Sequence, residues 1–359
     1  MKEKTTKSDQ IPYTKRRPIP NKHKIIAVIL ILAIVITTAG YQLSEIEALS
    51  AEYDNLLQSK AAGYLHEANA YRDLGRFDRA LEKLRLYFDL YPETLEGYTA
   101  RASVYTGNGE YDLAIKDYEK AIEMSDPDPE LYLQRGCLYI VQNDTQSALS
   151  DLKKVTELSP ENADALLLTA QLYTETKEYD LALSSYDSLL SMLPDNAVLY
   201  AQKAYLYSMQ EDYDNALDSL LQAYQIDSTN LEYAQAIAKI YGLKQDYTNV
   251  IQYTGVVLAK EPQNTELLLL RANSYFLTEQ YEESIPDYTA YLKQDPTNVE
   301  CLYQRGVSFL KTEDFEAAKK DLEQVLTLSD NTELNENTQA ILSYLNEAEL
   351  DEINLDSQP

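Results

Sequence analysis

The sequence predicts an all-α chain, a solenoid of stacked helical hairpins, and three observations predict it. First, a step of 34 residues from Ala68 lands on Ala102, Gly136, Ala170, Ala204, Ala238, Ala272 and Gly306, all small. Second, the same step from Tyr71 lands on Tyr105, Tyr139, Tyr173, Tyr207, Tyr241, Tyr275 and Phe309, all aromatic. Third, another small slot follows at Ala80, Ala114, Ala148, Ala182, Ala216, Val250, Ser284 and Ala318, and the period closes on Pro92, Pro160, Pro194, Pro262 or Pro296 in five of eight cases. A small residue lets two helix backbones approach, and the aromatic one turn later fills the space between them. Proline after the second helix forbids its continuation. One hairpin cannot bury its own apolar face, whereas eight stacked hairpins share a core.

The elements follow in order. Residues 1–24 form a basic tail; the first forty residues hold eight Lys/Arg against Glu3 and Asp9. The run "IIAVILILAIVITTAGY" (25–41) has 17 residues and no charge. As a helix it is about 25 Å long, at the short end for a bilayer crossing. Basic flanks stay cytoplasmic. The expectation is therefore a single-pass signal-anchor helix with a cytoplasmic N-terminus and everything after Tyr41 extracytoplasmic. A cleavable signal peptide is the rival; the long leader and the poor cleavage site at Thr37-Thr38-Ala39 weigh against it. Residues 42–60 place Leu43, Ile46, Leu49, Tyr53 and Leu56 at helical spacing, which reads as a juxtamembrane helix. Eight repeats follow, 61–94, 95–128, 129–162, 163–196, 197–230, 231–264, 265–298 and 299–332. Residues 333–350 set Leu334, Ala340, Ile341, Tyr344, Leu345 and Ala348 on one face, as a helix capping the last open side. Residues 351–359 are an acidic tail.

The order of slots, shown best by "LYLQRGCLYIVQNDTQSALSDLKKVTELSP" (131–160), resembles the tetratricopeptide repeat (TPR) family. The resemblance implies a right-handed superhelical α-solenoid that binds other proteins. It also implies that slots 5, 9, 12 and 13 of each repeat line a concave groove. Slot 5 holds Leu65, Thr99, Leu133, Leu167, Ala201, Gln235, Leu269 and Tyr303. Slot 9 holds Asn69, Ser103, Cys137, Gln171, Tyr205, Lys239, Asn273 and Val307. A wall this apolar and this poor in charge suits an extended or helical peptide with apolar anchors. Some family members grip a C-terminal carboxylate with clustered Lys, Arg and Asn. Asn69 and Asn273 without basic neighbours argue against that mode here.

One departure is systematic. The slot before the first small residue, usually Leu, is Arg at Arg101, Arg135, Arg271 and Arg305, and sixteen residues later stand Asp117, Asp151, Asp287 and Asp321. The first repeat swaps the charges, Glu67 and Lys83. In an antiparallel hairpin the two slots fall at similar heights on facing helices. Structural ion pairs Glu67–Lys83, Arg101–Asp117, Arg135–Asp151, Arg271–Asp287 and Arg305–Asp321 are expected.

The formal net charge is -28, and after position 40 the chain holds 57 acids against 23 bases, which excludes a nucleic-acid surface. Much of that acidity opens helices, where the dipole favours it, as at Glu96, Asp144 and Asp212. Cys137 and Cys301 form no disulfide framework and no metal spacing. Two histidines, His23 and His66, supply no triad or paired ligands, and Gly107-Asn108-Gly109 is a turn rather than a phosphate loop. No enzyme, cofactor or metal site is expected. The function expected is a membrane-anchored scaffold or adaptor that binds a partner protein or peptide in its groove. The alternative is a structural spacer or self-assembling module of a cell-envelope complex.

Overall fold

The structure is a computed structural model and describes residues 22–38 and 43–356. The basic tail over 1–21 and the last residues of the acidic tail, 357–359, lie outside the described residues. Among the described residues every element is a helix. They are α1 (Lys22–Thr38), α2 (Leu43–Asp73), α3 (Phe77–Leu90), α4 (Leu95–Gly107), α5 (Tyr111–Met124) and α6 (Pro129–Val141). Next come α7 (Thr145–Leu158), α8 (Ala163–Glu175), α9 (Tyr179–Met192), α10 (Ala197–Met209), α11 (Tyr213–Ile226) and α12 (Leu231–Leu243). The last are α13 (Tyr247–Leu258), α14 (Thr265–Leu277), α15 (Tyr281–Leu292), α16 (Val299–Lys311), α17 (Phe315–Leu328) and α18 (Thr332–Asp356). The chain divides into two bodies, Met1–Ala165 and Leu166–Pro359.

Local chemistry repeats with the hairpins. Each first helix from α4 to α16 starts on a short polar side chain that accepts a backbone N–H: Thr94, Asp128, Asn162, Asn196, Asn230, Asn264 and Asn298. Second helices are capped the same way by Asp144, Asp212, Asp246 and Asp314. Glu110 and Glu178 stand at the same slot without a capping bond, since the extra methylene carries the carboxylate past the N–H groups. Between the two helices the chain turns on one left-handed residue, with φ between 59° and 78°: Gly75, Gly109, Asn143, Lys177, Glu211, Gln245, Glu279 and Glu313. There Gly109 N–H donates to Thr106 O (3.1 Å) and Glu110 N–H to Tyr105 O (2.9 Å), a Schellman closure repeated in every hairpin. The aromatic slot therefore packs with its ring and closes the turn with its carbonyl.

In the N-terminal body, Ala68, Ala80, Leu84 and Val104 form one buried cluster, and Ala102, Ala114, Tyr118, Ala121, Leu131 and Leu138 form another. In the C-terminal body the same slots recur, from Ala170, Ala182 and Tyr186 through Ala204, Ala216 and Ile237 to Ala318, Leu322 and Leu345. The small slot is small for a measurable reason: a Cβ on Gly306 would stand 3.1 Å from Leu322.

The N-terminal expectations require correction. No helix among the described residues is long and apolar enough to cross a membrane. Helix α1 has 17 residues, and its first three are Lys22, His23 and Lys24. Its apolar part rises roughly 21 Å, short of the roughly 30 Å hydrocarbon core. The membrane helix over 25–41, the cytoplasmic N-terminus and the extracytoplasmic placement of the repeats are thus not upheld. Nor does a separate helix occupy 42–60: α2 runs unbroken from Leu43 to Asp73 into the first hairpin. At the other end α18 continues to Asp356, past the expected end of the capping helix.

Candidate partner-binding face

Charged clamps set the pitch between the helices of several hairpins. Arg135 donates from Nε and Nη2 to both oxygens of Asp151, at 2.8 and 2.7 Å. Arg101–Asp117 (2.7 and 2.7 Å), Arg271–Asp287 (2.6 and 2.8 Å) and Arg305–Asp321 (2.7 and 2.8 Å) repeat the bidentate geometry. The four aspartates are buried. Each guanidinium also lies over an aromatic ring, closest for Arg101 over Phe88 at 4.4 Å. The hydrogen bonds to aspartate hold Arg101, Arg135 and Arg271 above the ordinary arginine pKa, against the opposing pull of burial. Lys83 reaches Glu67 at 2.5 Å at a more exposed site.

In the N-terminal body the slot 5 and slot 9 residues are mostly occupied by the fold. Leu133 is buried, and Leu65 packs on the core. The Thr99 hydroxyl donates to Leu95 O (2.8 Å), and Ser103 accepts from Arg72 Nη1 (3.1 Å). Asn69 and Cys137 are half-buried. Burial raises the Cys137 thiol pKa.

In the C-terminal body the same slots divide. Leu269 and Tyr303 pack on the core, and Ala201 and Val307 are half-buried. The Oδ1 atom of Asn273 lies 2.8 Å from the hydroxyl of Tyr288, a fully buried ring whose pKa burial raises. Gln235 and Lys239 both turn to Glu266 on α14, at 3.4 and 2.8 Å. Leu167, Gln171 and Tyr205 face solvent.

Slot 13, the last residue of the first helix, supplies a row that slots 5 and 9 do not contain. Met209 on α10, Leu243 on α12 and Leu277 on α14 are 48%, 62% and 55% exposed. Tyr205, one turn before Met209, is 53% exposed. Met209, Leu243 and Leu277 recur every 34 residues at a slot that the resemblance had already placed on the groove.

Family models described as tetratricopeptide repeat match residues 65–129, 139–204, 197–230 and 299–332, together more than half of the chain. The chain belongs to the tetratricopeptide repeat family. Among solved structures, the TPR chain is similar to one titled "Structure of Naa15/Naa10 bound to HypK-THB", with 16% identity and a TM-score of 0.55. That match covers 74% of this chain and 42% of the other, and it bears on the fold alone. Two further matches are a "Crystal structure of MamA protein" (20% identity, TM-score 0.44, 49% of this chain, 96% of the other) and YrrB, titled "a TPR protein with an unusual peptide-binding site" (20%, 0.46, 53% and 97%). No curated protein matches the sequence.

Two features of this TPR chain went unread in the sequence. The asparagine slot at 162, 196, 230, 264 and 298 is periodic and caps first helices. A polar ladder also joins successive turns. Gln142 Nε2 donates to Asp112 (2.7 Å) in the N-terminal body, and in the C-terminal body Gln210 donates to Asp180 (3.0 Å) and Lys244 to Asp214. Those aspartates sit at second-helix N-termini, so their charge serves both the dipole and the neighbouring repeat.

Proposed function

We propose that this TPR chain is a non-catalytic scaffold that holds a partner protein or peptide on its first helices, chiefly in the C-terminal body. The repeats are read as eight units over 61–332 with a capping helix over 333–350. The carrying observation is the exposed row of Tyr205, Met209, Leu243 and Leu277. Large apolar side chains set out at repeat spacing on the face that a TPR array leaves open are what an apolar-anchored ligand needs. Leu167 and Gln171 extend the same face, while Leu269, Asn273 and Tyr303 support it from within the packing.

Site-specific photo-crosslinkers at Tyr205, Leu243 and Leu277 test the reading, with Ile226 at the end of α11 as an exposed control. Adducts to one partner from the three face positions and none from Ile226 are expected. Equal capture at all four, or capture of another copy of the chain alone, favours a spacer or self-assembling module and sinks the scaffold reading.

A further inference from the structure

The apolar row of the C-terminal body ends against an intensely acidic edge. Met209, Leu243 and Leu277 are each the last residue of a helix, and the turn that follows begins within two residues. Across the five turn segments of this body, residues 172–180, 206–214, 240–248, 274–283 and 308–316, the sequence places thirteen carboxylates and three lysines. One of those lysines, Lys244, is tied to Asp214. Glu211 and Glu279 occupy the left-handed turn positions beside Met209 and Leu277, and Glu282 and Glu283 follow in the first turn of α15. All four glutamates are exposed. Tyr205, Met209, Leu243 and Leu277 carry no charge; at the same two slots of this body Lys239 is paired with Glu266, and Glu175 and Lys311 end the first and last of these helices, α8 and α16.

An apolar strip bordered along one side by carboxylates is complementary to one kind of ligand in particular. Apolar residues at i, i+4 and i+7 of a helix fill a strip, and lysines or arginines on the flanking face of that helix reach the acidic border. An acidic helix meets repulsion along the whole edge, and a neutral one forgoes the attraction. Resting on the docking face proposed above, we infer that its ligand is a cationic amphipathic helix of a partner protein, with the apolar stripe on Tyr205, Met209, Leu243 and Leu277 and the basic flank toward Glu211, Glu279 and Glu282.

Fluorescence anisotropy of the full chain with three labelled helical peptides tests it: one leucine stripe flanked by lysine, by glutamine or by glutamate. The lysine peptide is expected to bind at least about tenfold more tightly than the glutamine one at low salt and to lose most of that margin at about 0.5 M NaCl. The rim variant Glu211→Lys, Glu279→Lys, Glu282→Lys is expected to reverse the order, so that the glutamate peptide binds best. The row variant Met209→Ser, Leu243→Ser, Leu277→Ser is expected to weaken all three. Equal affinities, indifferent to salt and to the rim variant but lost in the row variant, overturn the cationic assignment and leave the docking face standing. Lysine-peptide binding that survives the row variant overturns both. A tenfold tightening on Lys15→Gln, Arg16→Gln, Arg17→Gln gives the face to the chain's own basic segment and overturns a partner helix. Circular dichroism of each variant confirms that the helices persist.

Discussion

Five turns spend stability on backbone conformation, and replacing their residues with glycine should return it. Lys177, Glu211, Gln245, Glu279 and Glu313 hold φ between 59° and 64°, where a Cβ crowds the following carbonyl. The left-handed conformation costs an L-residue about 1 kcal/mol, and glycine's larger unfolded-state entropy takes back roughly half. Each change to glycine should therefore stabilise by roughly 0.5 kcal/mol, and all five together by about 2–3 kcal/mol. The reverse experiment is clean at Gly75 and Gly109, because a Cβ there meets no atom within 4 Å. Alanine at either should cost about 0.5–1 kcal/mol through the backbone alone. Glu211→Ala separates charge from conformation, since it removes the carboxylate and keeps the strain. Urea titrations followed by far-UV circular dichroism read the midpoint at constant slope. A fivefold glycine variant that melts at or below the parent, with Gly75→Ala and Gly109→Ala also unchanged, refutes the assignment of strain to these turns.

Asp151→Ala strands Arg135 in a site where it is only 17% exposed, and should cost about 3 kcal/mol in the same titration; Arg135→Leu with Asp151→Leu should fall within about 1 kcal/mol of the parent. The hydroxyl of Thr169 is buried without a hydrogen-bond partner, at the slot that holds arginine in four other repeats. Thr169→Val should therefore raise the midpoint by the equivalent of about 1 kcal/mol, and a lower midpoint would show that the hydroxyl is satisfied. Asp144 and Asp212 titrate below the ordinary carboxylate range because the side chains and N–H groups of Ser147 and Asn215 bond their oxygens. Their native pKa lies below the unfolded one, so their contribution is complete above about pH 4 and is lost as pH falls through the native value. Asp144→Asn, which still accepts the capping bond, should flatten the acid limb of stability measured between about pH 5 and 2. Burial pushes the Cys301 thiol up to about 12 and raises Cys137 as well, so native-state alkylation at pH 8 should be slow at both and slower at Cys301.

The hairpins were legible because their slots obey packing rules that show in single residues. Ala68 to Gly306 must be small, Tyr71 to Phe309 must fill a gap, and Arg135 and Asp151 share a height in any antiparallel pair sixteen residues apart. The ends and the face were less legible. Uncharged sequence from Ile25 to Tyr41 says nothing about where a helix begins or stops, and the described helix α1, Lys22–Thr38, takes in three residues, two of them lysines, ahead of the apolar run. Nothing in the sequence near residue 60 breaks a helix or compels a continuous one, and α2 continues. At the face, position alone could not separate Asn273, held at the buried Tyr288, from Tyr205, open to solvent. That difference depends on which neighbour reaches back from the next helix. The resemblance put slot 13 on the groove, but position alone could not show that Met209, Leu243 and Leu277 stay exposed, since a helix-terminal Leu or Met reads equally well as core.

The Arg–Asp clamp also has a thermal consequence. In the C-terminal body it joins α14 to α15 and α16 to α17, while α8/α9, α10/α11 and α12/α13 have no such pair among the described residues. Apolar packing loses driving force on cooling, whereas the desolvation penalty of a buried ion pair shrinks on heating. The order of opening within this body should therefore depend on temperature: the clampless hairpins are the first to loosen in the cold, and the clamped pairs hold relatively better as the protein warms. Amide exchange recorded at about 5 °C and 45 °C would then rank the same helices differently, although every contact in the folded state is the same.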